Sequence, residues 1–384
     1  MQTESISILI LSVIAVFYLL IIKKQGLTSP VLRSNTGIYL SGSVTRKGFF
    51  DFAKGVAILA VLVIHTVFVF NIFSEEFSVL FQGWNEHINR LARFAIPVFF
   101  TCSGTLLFLK GLDKGSLKNF YLPKIKRLFI PYALFSVFAT VFISGNLVGF
   151  SDYLITPLKD ILTGRALPPY WFIPVLFQLY LIYPLIWYLL VVKRTAPVKI
   201  FVVSFVFSLV SYFLFSPSWL NWQDYLGGLI FFGPYLFFFV LGIVLKPLFF
   251  ARTEEVLQWL FKIKFFYFAL LVLVIYFFIG TVDPLSHYFN VRLVYGPTVM
   301  LLLFYLHYFL KEKSIGSVME RIGRQSLYIY LLHFIILLWL KPLIHLLIVN
   351  DIHPALIFIL VFFLNFAITY GAICLTRKVV KILT

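Results

Sequence analysis

Three ionisable side chains lie in the stretch DFAKGVAILAVLVIHTVF, residues 51–68, which is otherwise almost wholly apolar. They are a carboxylate (Asp51), an ammonium (Lys54) and an imidazole (His65). In a helix rising about 1.5 Å per residue, Lys54 and His65 stand about 16 Å apart along the axis. Eleven steps of about 100° overshoot three turns by only about 20°, so both side chains take the same face. Asp51 sits one turn before Lys54 on a similar face. The spacing predicts charged groups at one mouth of a membrane helix and an imidazole deeper inside, facing a cavity or the bundle interior. Each residue taken alone has a plainer reading. Lys54 fits a lysine snorkelling to the interface, Asp51 a helix N-cap, and His65 a packing histidine bonded to a neighbouring helix. Together they point to an ion or substrate path.

Those residues need a membrane scaffold, and the composition supplies one. The chain has 384 residues, 61% hydrophobic and 12% charged, against about 45–50% and about 25% in soluble domains. No long polar stretch is available for a separate soluble domain. Runs long enough to span a bilayer, about 17–25 residues, fall at 6–22, 54–73, 92–109, 128–149, 171–192, 200–216, 226–245, 265–280, 292–310, 325–347 and 354–376, with a break expected at Lys341-Pro342. With residue 1 outside, the inside segments hold 26 of the 32 Lys and Arg residues, and the outside loops hold 9 of the 15 acidic ones. That asymmetry predicts an N-out, C-in topology. It also accounts for the net charge of +17 without a nucleic acid partner. The run 6–22 is read as an uncleaved membrane helix, because a secretory leader carries its charge before the apolar core. Residues 1–45 then form an N-terminal anchor and cytoplasmic linker, and 46–384 the membrane domain. Cys102 and Cys374 form no motif. His307, His345 and His353 are scattered without ligand spacing, so no metal is expected.

Five stretches, in order across about 46–378, carry a resemblance. A basic residue, ten intervening residues and a histidine are matched by Lys54 to His65. An apolar run ending in Ser-Gly is matched by IPVFFTCSGTLLF, with Ser103 and Gly104. A basic cluster before an apolar-Pro-Tyr stretch is matched by PKIKRLFIPY, with Lys124, Lys126, Arg127 and Pro131. YWFIPVLFQLYLIYP and IGRQSLYIYLLH complete the set, the latter with Ser326, Tyr330 and His333. In these the chain resembles the acyltransferase-3 family of integral membrane acyltransferases. The resemblance implies an all-α polytopic protein with a ten-helix core, to which the first helix is an addition. Two departures stand out: Lys54 replaces a frequent arginine, and Lys124-Ile125-Lys126 replaces a frequent Arg-x-Arg. Lysine offers phosphate a point charge rather than a planar fork.

The resemblance further implies transfer of an acyl group, acetyl by default and succinyl as an alternative, from cytoplasmic acyl-coenzyme A to a hydroxyl of an envelope glycan or glycolipid. Acetyl-CoA is then a donor substrate, no cofactor is bound, and the setting is the cell (inner or plasma) membrane. Coenzyme A is polyanionic and needs cationic partners; Lys54, Lys124, Lys126 and Arg127 are the candidates, with positive-inside topology an equal explanation for the loop charges. His65 is read as a general base that takes the acceptor hydroxyl's proton in a direct transfer, with an acyl-imidazole intermediate as the alternative. Asp51 can hold the Lys54 ammonium but lies too far along the helix to orient His65. His333 can line the same cavity or simply pack. Ser103, Trp171, Tyr180, Ser326 and Tyr330 are candidates for the cavity or acceptor site. Ser103-Gly104 also suits close helix contact, and Trp171, Tyr180 and Tyr183 suit an aromatic belt. A transporter of glycan or lipid intermediates is the rival reading. It would favour paired repeats with interrupted helices, and none is visible.

Overall fold

The stretch carrying Asp51, Lys54 and His65 forms helix α1 (Gly48–Phe70) in a computed structural model of the chain. Residues 48–76, 79–112, 117–143, 150–215, 231–246, 253–279 and 295–383 are described. The predicted anchor helix at 6–22, and its linker up to residue 47, lie outside them.

The described residues contain helices and turns and no strand. Five helices are long and apolar enough to cross a membrane: Gly48–Phe73, Phe81–Lys110, Leu117–Phe142, Phe172–Val192 and Pro354–Thr376. The pair Ser314–Arg324 and Ser326–Trp339, bent by 77°, makes a sixth if taken as one broken span. Shorter apolar helices at Pro197–Ser211, Gly233–Val244, Phe265–Val274 and Gly296–Leu310 coincide with the other predicted spans. The chain is an all-α polytopic membrane protein. Stretches 74–91, 150–170 and 311–324, read from sequence as loops, carry helices too: α2 (Val79–Ala92), α6 (Phe150–Thr163) and α13 (Ser314–Arg324). They are short and mix polar with apolar residues, so a search for about 20 apolar residues passes over them.

The chain divides into two compact units. The first draws on Arg46–Phe99 and Glu254–Thr384. Its centre is α1, against which pack α2, α12 (Gly296–Leu310), α13, α14 (Ser326–Trp339) and α16 (Pro354–Leu383). A helix apolar on every side belongs in the middle of a bundle, and α1 fits that rule with Phe49, Phe50, Phe52, Ala53, Ala57, Ile58 and Leu62 all buried. The α1–α13 crossing is the tightest of these. A Cβ on Gly323 would stand 1.7 Å from the Asp51 carbonyl oxygen, and one on Gly55 would stand 2.1 Å from that of Met319. Only hydrogen fits there, and the two backbones touch as small residues allow. The Gln325 N–H closes a tight turn onto the Ile322 carbonyl (2.9 Å) where α13 bends into α14. Beyond α14, the expected break is present: α14 ends at Trp339 and α15 (Lys341–Val349) restarts with Pro342 in its first turn.

The second unit, Phe100–Thr253 among the described residues, holds most of α3 (Ala95–Lys110), α4 (Leu117–Lys124), α5 (Ile130–Phe142), α6, α7 (Phe172–Trp187), α8 (Pro197–Phe215) and α9 (Gly233–Val244). A Cβ on Gly104 would stand 2.0 Å from the Phe239 carbonyl, and the Thr105 hydroxyl donates to the Gly242 carbonyl at 2.7 Å. Ser103-Gly104 therefore lies at a close α3–α9 contact. After α6, Gly164 takes a left-handed φ of 75°, as glycine does after a helix. Its Cα hydrogen faces the Trp171 backbone, where a Cβ would come within 2.4 Å of that Cα. This return delivers Trp171 to the start of α7.

Candidate active site

Two imidazoles meet in the first unit. His65 Nδ1 lies 3.0 Å from His333 Nε2, with ring centroids 5.0 Å apart. α1 and α14 pack side by side, and that packing makes neighbours of two residues 268 positions apart in the chain. His333 is wholly buried, whereas His65 keeps part of its surface open. His333 Nδ1 lies 3.1 Å from the Ile329 carbonyl one turn back. Phe334 sets its edge against the His65 ring at 5.5 Å, and the Tyr330 ring lies 6.0 Å from that of His333. Ser326, buried, occupies the first turn of the same α14. The sequence leaves the place of His333 open, and the structure puts it in contact with His65.

A second cluster occupies the start of α1. Lys54 Nζ lies 2.9 Å from Asp51 Oδ1. Asp51 is inside the first turn rather than at the cap, so the capping alternative drops out. α13 adds two more charges. Arg324 lies 4.0 Å from Asp51 Oδ2 and 3.7 Å from Glu320, and His307 of α12 lies 3.3 Å from Glu320. The sequence reading names none of Arg324 or Glu320 and sets His307 aside. An alternating row of charges is what a carboxylate with only 4% exposed side chain requires, since a buried charge persists only when paired.

This predicts a specific pattern of stability. Lys54→Met strips Asp51 of its nearest cation and should cost up to about 3 kcal/mol, because the buried carboxylate is left with only the longer, 4.0 Å contact to Arg324 as a charge partner among the ion pairs described above. Asp51→Asn combined with Lys54→Met should recover most of that loss. Thermal melting of the purified variants measures both; a double variant no more stable than the single one would contradict the pairing.

The remaining candidates belong to the second unit. Lys124 donates to the Phe120 carbonyl (2.6 Å) and sits over the Phe120 ring at 3.3 Å. Lys126 and Arg127 are exposed on a wide turn, Ile125–Phe129, closed by the Ile130 N–H onto the Ile125 carbonyl. Such five-residue turns recur at functional sites, and here one lies between Pro123 and Pro131. Tyr180 lies against the Phe239 ring at 6.4 Å, and Trp171 against the Tyr235 ring at 5.3 Å. Thus the residues assigned to donor phosphates divide: Lys54 stands in the first unit, and Lys124, Lys126 and Arg127 in the second. Among the described residues no group of His, Cys, Asp and Glu is arranged to hold a metal ion.

Compared with known proteins, residues 47–374 match the acyltransferase-3 family model, described as an acyltransferase domain. The chain belongs to the acyltransferase-3 family. No curated protein and no solved structure gives a match. The matched span includes the histidine pair and the charge row, as well as the basic turn of the second unit. The acyltransferase therefore holds both an accessible imidazole and a set of cations within its family domain.

Proposed function

We propose that this acyltransferase moves an acyl group, acetyl in the first instance, from acyl-coenzyme A to a hydroxyl of an envelope glycan or glycolipid across the cell membrane. His65 acts as the general base. In the step envisaged, the acceptor oxygen attacks the thioester carbonyl carbon as His65 removes the hydroxyl proton. The carbon–sulfur bond then breaks, and the proton passes to the departing thiolate. Lys124, Lys126 and Arg127 of the second unit suit donor phosphates by their charge, and Lys54 of the first unit is a separate candidate for the same role. Trp171 suits the acceptor, since a sugar stacks on an indole face. The observation that carries the reading is the partly open His65 ring, held by a second buried histidine inside an acyltransferase domain.

The test uses the full chain in proteoliposomes with acyl-coenzyme A labelled in the acyl group. Saturable donor binding and label appearing on an added envelope glycan are expected. In cells lacking the gene, the glycan should lose the mass of one acetyl, or one succinyl, per modified sugar. Movement of a labelled glycan across the vesicle with no saturable donor interaction would replace this reading with a transporter.

A further inference from the structure

We infer that His333 is a positioning residue: it fixes the tautomer of His65 so that Nε2, not Nδ1, is the working nitrogen. The inference rests on His65 being the base.

A carbonyl oxygen only accepts, so the contact between His333 Nδ1 and the Ile329 carbonyl (3.1 Å) places a proton on Nδ1. A neutral ring carries one such proton. His333 Nε2 therefore offers a lone pair, and the 3.0 Å contact to His65 needs its proton on His65 Nδ1. Exchanging the protons fails. A bare His333 Nδ1 would face the Ile329 oxygen, acceptor against acceptor, at a site with no exposed surface. A doubly protonated His333 would bury a cation with no carboxylate paired to it among the described residues. The proton order Ile329 C=O, H–Nδ1 of His333, Nε2 of His333, H–Nδ1 of His65 leaves His65 Nε2 with the free lone pair.

The arrangement resembles a catalytic triad with its carboxylate exchanged for a neutral acceptor. In hydrolases the third residue orients the base and supports the imidazolium that forms. A carboxylate at this depth would itself be a costly charge in lipid. An imidazole lone pair orients the base without that charge. Asp51, fourteen residues before His65 and already paired with Lys54, is not needed for it.

The experiment compares His333→Gln and His333→Leu in the full-length protein in nanodiscs. The Gln carbonyl can accept from His65 Nδ1–H, whereas Leu cannot; Leu better matches an apolar packing role. Nitrogen-15 histidine spectra read the tautomer directly, with His65→Ala assigning the His65 signals. The unaltered protein and the Gln variant should show His65 protonated at Nδ1 and bare at Nε2; the Leu variant should show a mixture or the opposite form. In turnover, Leu should lower kcat about 100-fold with KM for the donor little changed, near the low end of what a placed base contributes. Gln should return most of that loss. A His65 protonated at Nε2 in the unaltered protein, or a Leu variant more active than Gln, overturns the inference. If His65→Ala still transfers acyl groups, the base assignment falls separately, and the spectra alone decide what His333 does.

Discussion

Cells whose sole copy carries His65→Ala should lose acyl groups from the envelope glycan while still inserting a folded protein. The expected loss is at least the 10²–10⁴-fold, about 3–5 kcal/mol of barrier, that a positioned base supplies. Folding should survive for a structural reason. His65 is partly open, and its neighbour His333 keeps its own bond to the Ile329 carbonyl when the His65 ring is gone. α1 is held elsewhere, by its buried phenylalanines and by the α13 crossing ten to fourteen residues earlier. The measurement is glycan acyl content by mass spectrometry, set beside the melting temperature of the purified variant. Unchanged acyl content would remove His65 from the chemistry; a collapsed melting temperature would make it a packing residue.

Gly323→Ala should have the largest effect on stability. The added Cβ would overlap the Asp51 carbonyl oxygen at 1.7 Å and approach the Gly55 nitrogen at 2.8 Å. Both are backbone atoms, so no rotamer change relieves the clash and the helices must separate. Overpacking costs about 1–3 kcal/mol and occasionally more, and backbone overlap belongs at the upper end. Separation also draws Arg324 away from Asp51, which lowers activity through the charge row. Gly371→Ala in α16 is the control, since nothing lies within 4 Å of its added carbon. Alanine there should be neutral or stabilise by up to about 1 kcal/mol through helix propensity. Thermal melts of the two variants decide the matter; equal behaviour would show that the crossing tolerates a side chain.

Much of this protein is legible one residue at a time. Membrane residence follows from composition, and ten of the predicted spans find helices, because each span depends only on its own apolar length. The same-face relation of Lys54 and His65, and the Asp51–Lys54 pair, are properties of one helix and its period. The break at Lys341-Pro342 is equally local. The short helices α2, α6 and α13 are less legible, since their formation depends on what they pack against.

What the tertiary structure alone decided are the partners. His333 reaches His65 because α14 lies along α1, and no periodicity relates positions 268 residues apart. Arg324 and Glu320 join Asp51 because Gly55 and Gly323 let two backbones touch. His307, unremarkable in the sequence, finds Glu320 through the same crossing. Local sequence determines which groups are present and which face of a helix each takes; the identity of the group opposite is a matter of which helices pack together, and that is settled by the whole bundle at once.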